Sequence, residues 1–277
     1  MRLLVISGQS GSGKSVALRA VEDAGFYCID NLPADLLEQA VAHFEAGGYG
    51  DVAMSIDARS SADLAGVAKT LHRLAQRLDV RIVFLETKHG TLLKRFSETR
   101  RRHPLNTGDR SLRECIDDER ELLEPIARLA HHMDTSDLSA NGLREWIRGF
   151  VGLGKAAFTL VFESFGFKQG VPLDADLVFD MRCLPNPHYD PLLRPLTGLD
   201  APVAAFIEAQ PRALSMFDDL HAFLETWLPC YQQDNRSYFT VALGCTGGQH
   251  RSVYFAEKLA GSFRDRYQVL VRHRELS

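Results

Sequence analysis

The chain has little of what a membrane, secreted or nucleic-acid-coating protein needs. No apolar run approaches the roughly 18 residues of a transmembrane helix. The cysteines number five and contain no Cys-x-x-Cys pair, which argues against a disulfide framework and a structural zinc site. The formal net charge is −4, so the molecule as a whole is not a basic coat for nucleic acid. The short apolar stretch at 3–6 runs into glycines and serines, which indicates a first strand and not a signal peptide. We therefore expect a cytoplasmic protein.

The composition that is present is typical of a globular protein with about two domains. The 277 residues are 45% hydrophobic and 25% charged, which excludes a disordered or fibrous chain. Residues 236–277 carry seven Lys and Arg against three Asp and Glu, so a basic surplus lies in this segment. Such a surplus predicts contact with phosphate groups, either of a metabolite or of RNA.

Short β-rich segments alternate with helical patterns along the chain, which favours α/β domains with parallel sheets. In the first half the predicted strands span residues 3–7, 26–29, 52–56, 81–85 and 131–134, and a capping-box pattern at 111–114 predicts the start of a long helix. Glycines at 149, 152 and 154 interrupt the pattern, so we predict two domains, 1–152 and 153–277. In the second, the predicted strands span 158–162, 177–179, 238–243 and 268–271, and the predicted helices span 201–209, 213–228 and 253–267.

A glycine-rich loop follows the first predicted strand. It matches G-x-x-x-x-G-K-[ST] at every defined position and leads into a predicted helix, which is the context of a phosphate-binding loop. Glycines let successive backbone amides turn around phosphate oxygens, and the helix N-terminus adds positive charge. Lys14 is predicted to bridge the β- and γ-phosphates, and the Ser15 hydroxyl to ligate the Mg²⁺ of a nucleotide. The predicted nucleotide-binding residues are Gly8, Gln9, Ser10, Gly11, Ser12, Gly13, Lys14 and Ser15.

The residues that would transfer or hydrolyse a phosphate are less clearly marked. Asp57 ends a predicted strand and could hold Mg²⁺ through water, and Asp30 ends another and could face an acceptor. Both are equally well interpreted as ordinary strand-end carboxylates. Basic residues crowd one predicted helical stretch before His103, namely Lys94, Arg95, Arg100, Arg101 and Arg102. This cluster could form a lid over phosphate as in small-molecule kinases, a solvated helix face or an RNA-binding patch.

A second candidate anion site lies between the predicted strand at 238–243 and the helix after it. Its spacing is C-x5-R-S. In cysteine phosphatases a ring of amides, a helix N-terminus and one Arg fork bind phosphate in this way, and the cysteine has thiolate character. The predicted residues are Cys245, Thr246, Gly247, Gly248, Gln249, His250, Arg251 and Ser252, with His188 and Asn235 as pocket walls or parts of rigid connectors. A phosphometabolite pocket, a cysteine phosphatase and a structural turn all stay open as interpretations.

Several longer stretches resemble the RapZ/YvcJ family of bacterial P-loop nucleotide-binding proteins. They lie at residues 8–20, 25–33, 57–60, 162–168, 184–188 and 244–252, and the resemblance covers essentially all 277 residues. Stretches of this length are far more specific than the phosphate-loop motif alone. The resemblance implies a P-loop NTPase domain with a parallel sheet, followed by an α/β domain similar to a fragment of phosphofructokinase-like folds.

The resemblance also implies ligands and partners. It implies ATP at residues 8–15 and GTP at Asp57, Ala58, Arg59 and Ser60, with Mg²⁺ and slow hydrolysis. In enterobacterial members the C-terminal domain binds glucosamine-6-phosphate and a small regulatory RNA, which is delivered to an endoribonuclease. Members assemble as homo-oligomers, and we expect a dimer or tetramer here.

One departure from the family pattern weakens a part of this expectation. Residues 272–277 lack the additional Lys and Arg run of RNA-binding members, and phosphate contacts supply much of RNA affinity. The expected function is thus a nucleotide-binding regulator that senses a phosphorylated amino sugar and acts as an RNA-binding RNase adapter. The alternative is a small-molecule kinase that uses the phosphate loop, with residues 100–102 as a lid and Asp30 at the acceptor.

Overall fold

A computed structural model describes residues 1–59, 63–106, 108–152, 158–233 and 238–276. The chain forms two compact units, Met1–Gly152 and Leu153–Ser277. Each unit has its own sheet and its own hydrophobic core. No helix in these ranges is long and apolar enough to cross a membrane.

The first unit is a five-stranded parallel sheet with the order β2-β3-β1-β4-β5. Its strands are β1 (Arg2–Gly8), β2 (Tyr27–Ile29), β3 (Asp51–Ser55), β4 (Asp79–Glu86) and β5 (His131–Asp134). Its helices are α1 (Lys14–Glu22), α2 (Leu37–Ala46), α3 (Leu64–Ala75), α4 (His89–Thr99), α5 (Leu112–Ala127) and α6 (Ala140–Gly152). The strand order reverses next to β1, and in parallel sheets ligands bind beyond the carboxyl ends of the strands at such a point.

The central strand of this sheet is apolar along its length because both of its faces are covered. Leu3, Leu4, Val5 and Ile6 are fully buried, as expected for a strand in the middle of a parallel sheet. Helix α5 begins with the predicted capping box: the Ser111 hydroxyl accepts from the Glu114 amide, and the Glu114 carboxylate accepts from the Ser111 amide.

The second unit is a four-stranded parallel sheet with the order β7-β8-β6-β9. Its strands are β6 (Thr159–Gly166), β7 (Leu177–Asp180), β8 (Tyr238–Cys245) and β9 (Gln268–His273), and its helices are α7 (Ala201–Glu208), α8 (Pro211–Gln233) and α9 (Arg251–Phe263). Phe162, Phe239, Phe255 and Phe263 are fully buried in its core. The connection from β8 to α9 carries the second candidate site.

The prediction of two α/β domains with parallel sheets is confirmed. One local prediction is wrong, because Arg100, Arg101 and Arg102 do not share a helix with Lys94 and Arg95. Helix α4 ends at Thr99, and Arg100 follows in the left-handed region at φ 51°. Helix α9 begins at Arg251, two residues before the predicted start, and ends at Phe263. The similarity of the second unit to phosphofructokinase-like folds stays a prediction.

Candidate functional site

The loop between β1 and α1 has the conformation of a phosphate-binding loop. Gly8, Gly11 and Gly13 have φ values of 138°, 86° and 109°, which side chains rarely tolerate. A Cβ on Gly8 would also overlap the carbonyl oxygen of Leu85 on β4. Glycine is therefore required at Gly8 both by the backbone angle and by the closeness of the neighbouring strand.

Side chains from outside the loop hold its carbonyl groups. The Thr135 hydroxyl donates to the Ser12 carbonyl at 2.8 Å. Arg95 Nη1 donates to the Gly11 carbonyl at 3.0 Å, and its Nη2 donates to the Thr135 carbonyl at 2.7 Å. Arg95, which one interpretation of the sequence assigns to a lid, thus links the Gly11 carbonyl of the loop to the Thr135 carbonyl. Exposed Lys94 lies 4.0 Å from Glu98, and Arg100, Arg101 and Arg102 are exposed beyond the end of α4.

Lys14 at the start of α1 is folded back over the loop. Its Nζ donates to the carbonyls of Gly8 and Gln9, at 2.5 and 3.1 Å. Burial lowers the pKa of Lys14, while the charges of Glu119, Asp57 and Asp30 act in the opposite direction. An anion in the loop would favour the charged form of Lys14 in the same way.

A buried carboxylate, which the sequence reasoning missed, also contacts the loop. Glu119 on α5 is 1% exposed and accepts from the amide of Ser10 at 2.7 Å and from its hydroxyl at 2.6 Å. Buried His103 lies on the same carboxylate at 3.1 Å. The sequence contains a sign of this burial. Glu119 falls at helical spacing in the apolar stripe of α5, together with Cys115, Ile116 and Leu123.

The segment predicted from the resemblance as the GTP site lies beside the phosphate loop. Strands β1 and β3 are neighbours, and the Ile56 amide donates to the Ile6 carbonyl at 3.0 Å. Asp57 is 3% exposed and accepts from the amide of Arg59 at 2.9 Å and from its Nη2 at 2.6 Å. Burial alone would raise the pKa of Asp57, but these bonds and Lys14 bring it below its usual range. Ala58 is buried, and Ser60 lies outside the described residues.

The remaining candidate at this edge is Asp30, beyond the end of β2. It is exposed and accepts from the Ser55 hydroxyl at 2.5 Å. Its charge acts on Lys14. The structure therefore gathers Lys14, Asp57, Arg59 and Asp30 at one edge of the first sheet. In the described ranges, no three His, Cys, Asp or Glu side chains are grouped so as to hold a metal ion by themselves.

The second loop, between β8 and α9, turns its amides toward Cys245. The Cys245 thiol is buried, and its Sγ lies 3.1 Å from the Ser252 hydroxyl oxygen. Burial by itself would raise the pKa of this thiol. The Ser252 hydroxyl and the amides of Ser252, His250 and Gly248 lower it below its ordinary value. Gly248 has φ 73°. These donors lie between β8 and the N-terminus of α9, where the cradle is predicted, and the binding of an anion by this cradle stays a prediction.

Arg251 lies in the wall of this cradle and is 3% exposed. Its Nη1 donates to the carbonyls of Leu184 and Arg182 at 2.7 and 3.1 Å, and its Nη2 to the Thr246 hydroxyl at 3.4 Å. Among the residues that the structure describes, its Nε has no acceptor. Burial lowers the pKa of Arg251, and Cys245 and Asp180 act to raise it. A buried guanidinium with an unused donor is the group that an incoming anion would satisfy.

The other predicted residues of this site have different positions. His250 is buried, its Nε2 lies 3.2 Å from the Leu193 carbonyl, and burial lowers its pKa. The exposed ring of His188 lies 6.2 Å from that of His250, so the proline-rich segment 184–191 adjoins the loop that carries His250. Thr246 and Gln249 are exposed, and Asn235 lies outside the described residues.

The basic surplus of residues 236–277 is largely neutralised within the fold. Arg272 lies 3.2 Å from both Glu163 and Asp174, and Arg274 lies 3.4 Å from Glu163, all four side chains being buried. Three further cations that the structure describes in this segment are also paired: half-buried Lys258 with Glu208, and exposed Arg264 and Arg266 with Glu257 and Glu225. The expectation that this surplus would be presented to phosphate groups is therefore wrong for Arg272 and Arg274.

Comparison with known proteins gives matches over the whole chain. A family model described as the RapZ-like N-terminal domain matches residues 1–156, and one described as the RapZ C-terminal domain matches residues 158–277. A nucleotide-binding protein of Thiobacillus denitrificans is 57% identical and covers 100% of both chains. One of Chromobacterium violaceum is 56% identical, over 100% of this chain and 99% of its own. A solved shikimate kinase from Bacteroides thetaiotaomicron, 14% identical, has a TM-score of 0.40 over 55% of this chain and 99% of its own, and no function follows from it.

Proposed function

The chain belongs to the RapZ-like family, and from this premise we propose that it is a cytoplasmic regulatory protein with two ligand sites. The first unit binds ATP or GTP with Mg²⁺, and the second binds a phosphorylated amino sugar such as glucosamine-6-phosphate. Their occupancy controls an RNA-binding RNase-adapter role of a homo-oligomer, either a dimer or a tetramer.

One observation carries the nucleotide part of the proposal. The loop from Gly8 to Ser15 combines left-handed glycines, a helix N-terminus and a lysine folded over the loop. This combination supports binding of a polyphosphate through backbone amides and Lys14. Relatives more than half identical to this chain are described as nucleotide-binding proteins. The exposed Ser15 hydroxyl and the carboxylate of Asp57 are the groups that would hold Mg²⁺, directly and through water.

ATP and GTP share one site in this proposal. Arg59 is ion-paired to Asp57, and Asp57 acts electrostatically on Lys14, so both candidate segments line one edge of the sheet. We expect the two nucleotides to compete. We expect any hydrolysis to be slow, because the buried carboxylate of Glu119 is already engaged by Ser10 and His103.

Fluorescent ATP and GTP analogues test the nucleotide site. Titration with Mg²⁺ present should give one nucleotide per chain, and unlabelled GTP should displace the ATP analogue completely. Lys14→Ala should weaken binding about a hundredfold or more, since it removes a charge-assisted contact to phosphate. It should leave phosphate binding by the second unit unchanged. Two independent nucleotides per chain would contradict the shared site, and label passing from γ-labelled ATP to a small organic molecule would instead identify a kinase.

The second ligand is supported by the geometry around Arg251. Three amides and the Ser252 hydroxyl converge on Cys245, and the unused Nε of Arg251 is buried in the same wall. A phosphate group matches this set of donors. Asp180, whose charge acts on Arg251 and which is paired with exposed Arg182, is the nearby acidic group that an ammonium of an amino sugar would contact.

Calorimetric titration tests this site. Glucosamine-6-phosphate should bind more tightly than glucose-6-phosphate or inorganic phosphate, and glucosamine alone should not bind. Arg251→Ala should abolish the heat of binding, whereas Arg212→Ala, an exposed arginine of α8, should not change it. Equal affinity for all three phosphates would remove the amino sugar and leave a general anion site. Turnover of p-nitrophenyl phosphate that Cys245→Ser abolishes would support the phosphatase interpretation instead.

The adapter role is supported by the resemblance more than by charge. Because Arg272 and Arg274 are buried in ion pairs, the exposed arginines at 100–102 offer an alternative contact for RNA phosphates. Fluorescence anisotropy with a labelled RNA hairpin should show binding that weakens steeply with salt. Replacing residues 100–102 with serine should reduce the salt slope, and Arg264→Ser, which breaks an existing ion pair, should reduce it less. Absence of binding at low salt would remove this role and leave both ligand sites standing.

A further inference from the structure

A polar relay reaches the phosphate loop from two other segments of the first unit. Glu119 on α5 accepts from the amide and hydroxyl of Ser10, which lies two residues after the start of the loop. Its Oε2 also lies 3.1 Å from His103 Nε2, in the segment that follows α4. Glu119 and His103 are 1% and 3% exposed, so the relay is shielded from water.

The direction of the hydrogen bonds in this relay follows from the backbone. The Leu105 amide donates to His103 Nδ1 at 3.2 Å, so Nδ1 is the acceptor nitrogen of the ring. In the neutral ring the proton is therefore on Nε2, which donates to Glu119. The ring of Phe96 lies 5.3 Å from that of His103 and packs beside it. His103 is thus held in one orientation and one tautomer.

The position calls for a carboxylate and not for its neutral analogue. Glu119 faces three donors, two from Ser10 and one from His103. A glutamine has one acceptor oxygen and would turn an NH₂ group toward some of these donors. The charge of Lys14 also favours the ionised carboxylate, although burial opposes it.

We propose that Glu119, oriented by His103, is the positioning residue of the phosphate loop. It binds the Ser10 amide and hydroxyl, and so fixes the first turn of the loop from which the amides of residues 11–15 face the phosphates. Glu119 acts through Ser10 and not on the nucleotide, because the hydrogen bonds to Ser10 and His103 occupy both of its oxygens. This inference rests on the proposed binding of a nucleoside triphosphate by the first unit.

The experiment measures the affinity of the full chain for a fluorescent ATP analogue with Mg²⁺. Glu119→Gln should weaken binding about tenfold or more, since charge-assisted hydrogen bonds to the loop are lost. Glu121→Gln changes the same residue type at an exposed position of α5 and should leave the affinity unchanged. The far-UV circular dichroism and the melting transition of the first unit report in each variant that this unit is folded.

A second variant separates positioning from general support of the fold. Ser10→Ala removes only the hydroxyl bond and should weaken nucleotide binding a few-fold. The double variant should bind no more weakly than Glu119→Gln alone, because both changes act on one contact. Should Glu119→Gln fail to fold, Ser10→Ala carries the test, and unchanged affinity there would overturn the proposal.

The remaining outcomes are also decisive. If Glu119→Gln lowers the melting temperature but binds the analogue like the wild type, Glu119 is structural and the proposal is wrong. If the double variant loses as much binding free energy as Glu119→Gln and Ser10→Ala lose together, Glu119 does not act through Ser10. If the wild type itself does not bind the analogue, nucleotide binding has failed as the proposed function, which is a distinguishable result.

Discussion

Each of the two candidate loops holds one titratable side chain whose pKa is lowered by its surroundings, Lys14 in the first unit and Cys245 in the second. Lys14 is the first residue of α1, and Cys245 is the last residue of β8, from which the loop leads to α9. Cys245 receives amides and a hydroxyl and is driven toward the thiolate, whereas Lys14 lies on carbonyls and loses part of its basicity to burial. An anion that enters either loop should therefore change the ionisation of this group. It should favour the charged form of Lys14 and disfavour the thiolate form of Cys245.

The ionisation of Cys245 gives a prediction at this scale. Its pKa in the folded chain lies below the ordinary thiol value of 9.0, so the thiolate stabilises the fold fully above that pH. This contribution is lost as the pH falls through the lower, folded value. The absorbance of the thiolate, taken as wild type minus Cys245→Ser, should titrate below pH 9.0, and Ser252→Ala should move the midpoint upward.

The thiolate titration has a clear contrary outcome. A midpoint at or above that of an ordinary thiol would mean that burial outweighs the hydrogen bonds from Ser252 and the loop amides. The exposed Cys183 serves as a control, since Cys183→Ser should leave the difference titration unchanged.

At the scale of elements, the junction between β1 and α1 depends on Gly8. It pairs with Leu85 of β4 in the sheet, and its φ of 138° lies where a side chain is strained. Gly8→Ala should destabilise the first unit by about 3 kcal/mol or more, because both strain and overlap with the Leu85 backbone are introduced. Urea denaturation measures the change.

Gly90 provides the matched control for this prediction. It lies in α4, and a Cβ there would meet no atom within 4 Å. Gly90→Ala should therefore be neutral or stabilising by about 0.5–1 kcal/mol, as expected for a helical glycine. Equal effects of the two changes would show that the junction at Gly8 is not specially constrained.

The start of α5 allows a second prediction at the scale of elements. Ser111 caps the helix that carries Glu119. Ser111→Ala should cost about 1 kcal/mol of stability, the usual effect of losing an N-cap, and calorimetry can measure the lowered melting temperature. Ser97→Ala, at an exposed position within α4, should show no such loss.

Local patterns and distant contacts differ in how far the sequence could predict them. The phosphate loop and the capping box depend on residue types a few positions apart, so their spacing is sufficient. The contact of Glu119 with Ser10 joins residues 109 positions apart, and only the fold brings them together. The charge pattern at 100–102 continues that of α4 and so predicts a single helix, yet Arg100 takes the left-handed conformation that ends α4.

At the scale of the whole molecule, two sheets with separate cores predict two unfolding transitions. A ligand that binds one folded unit stabilises that unit by mass action. In scanning calorimetry, MgATP should raise the transition of the first unit, and glucosamine-6-phosphate that of the second. Lys14→Ala should remove only the first shift, and Arg251→Ala only the second. A single transition moved by either ligand would show that the units unfold together.

The buried ion pairs of the second unit have a consequence for the synthesis of the chain. Glu163 lies on β6, the strand that joins β8 to β9, but its partner Arg274 follows 111 residues later, and Arg272 follows Asp174 by 98. A nascent chain on the ribosome therefore exposes the acids long before the arginines emerge to neutralise them. Until then the sheet lacks β9 and would have to bury two uncompensated charges, which is strongly unfavourable. The second unit thus assembles only after β9 has left the ribosome, and a product that stops short of β9 would be a ready substrate for quality-control proteases.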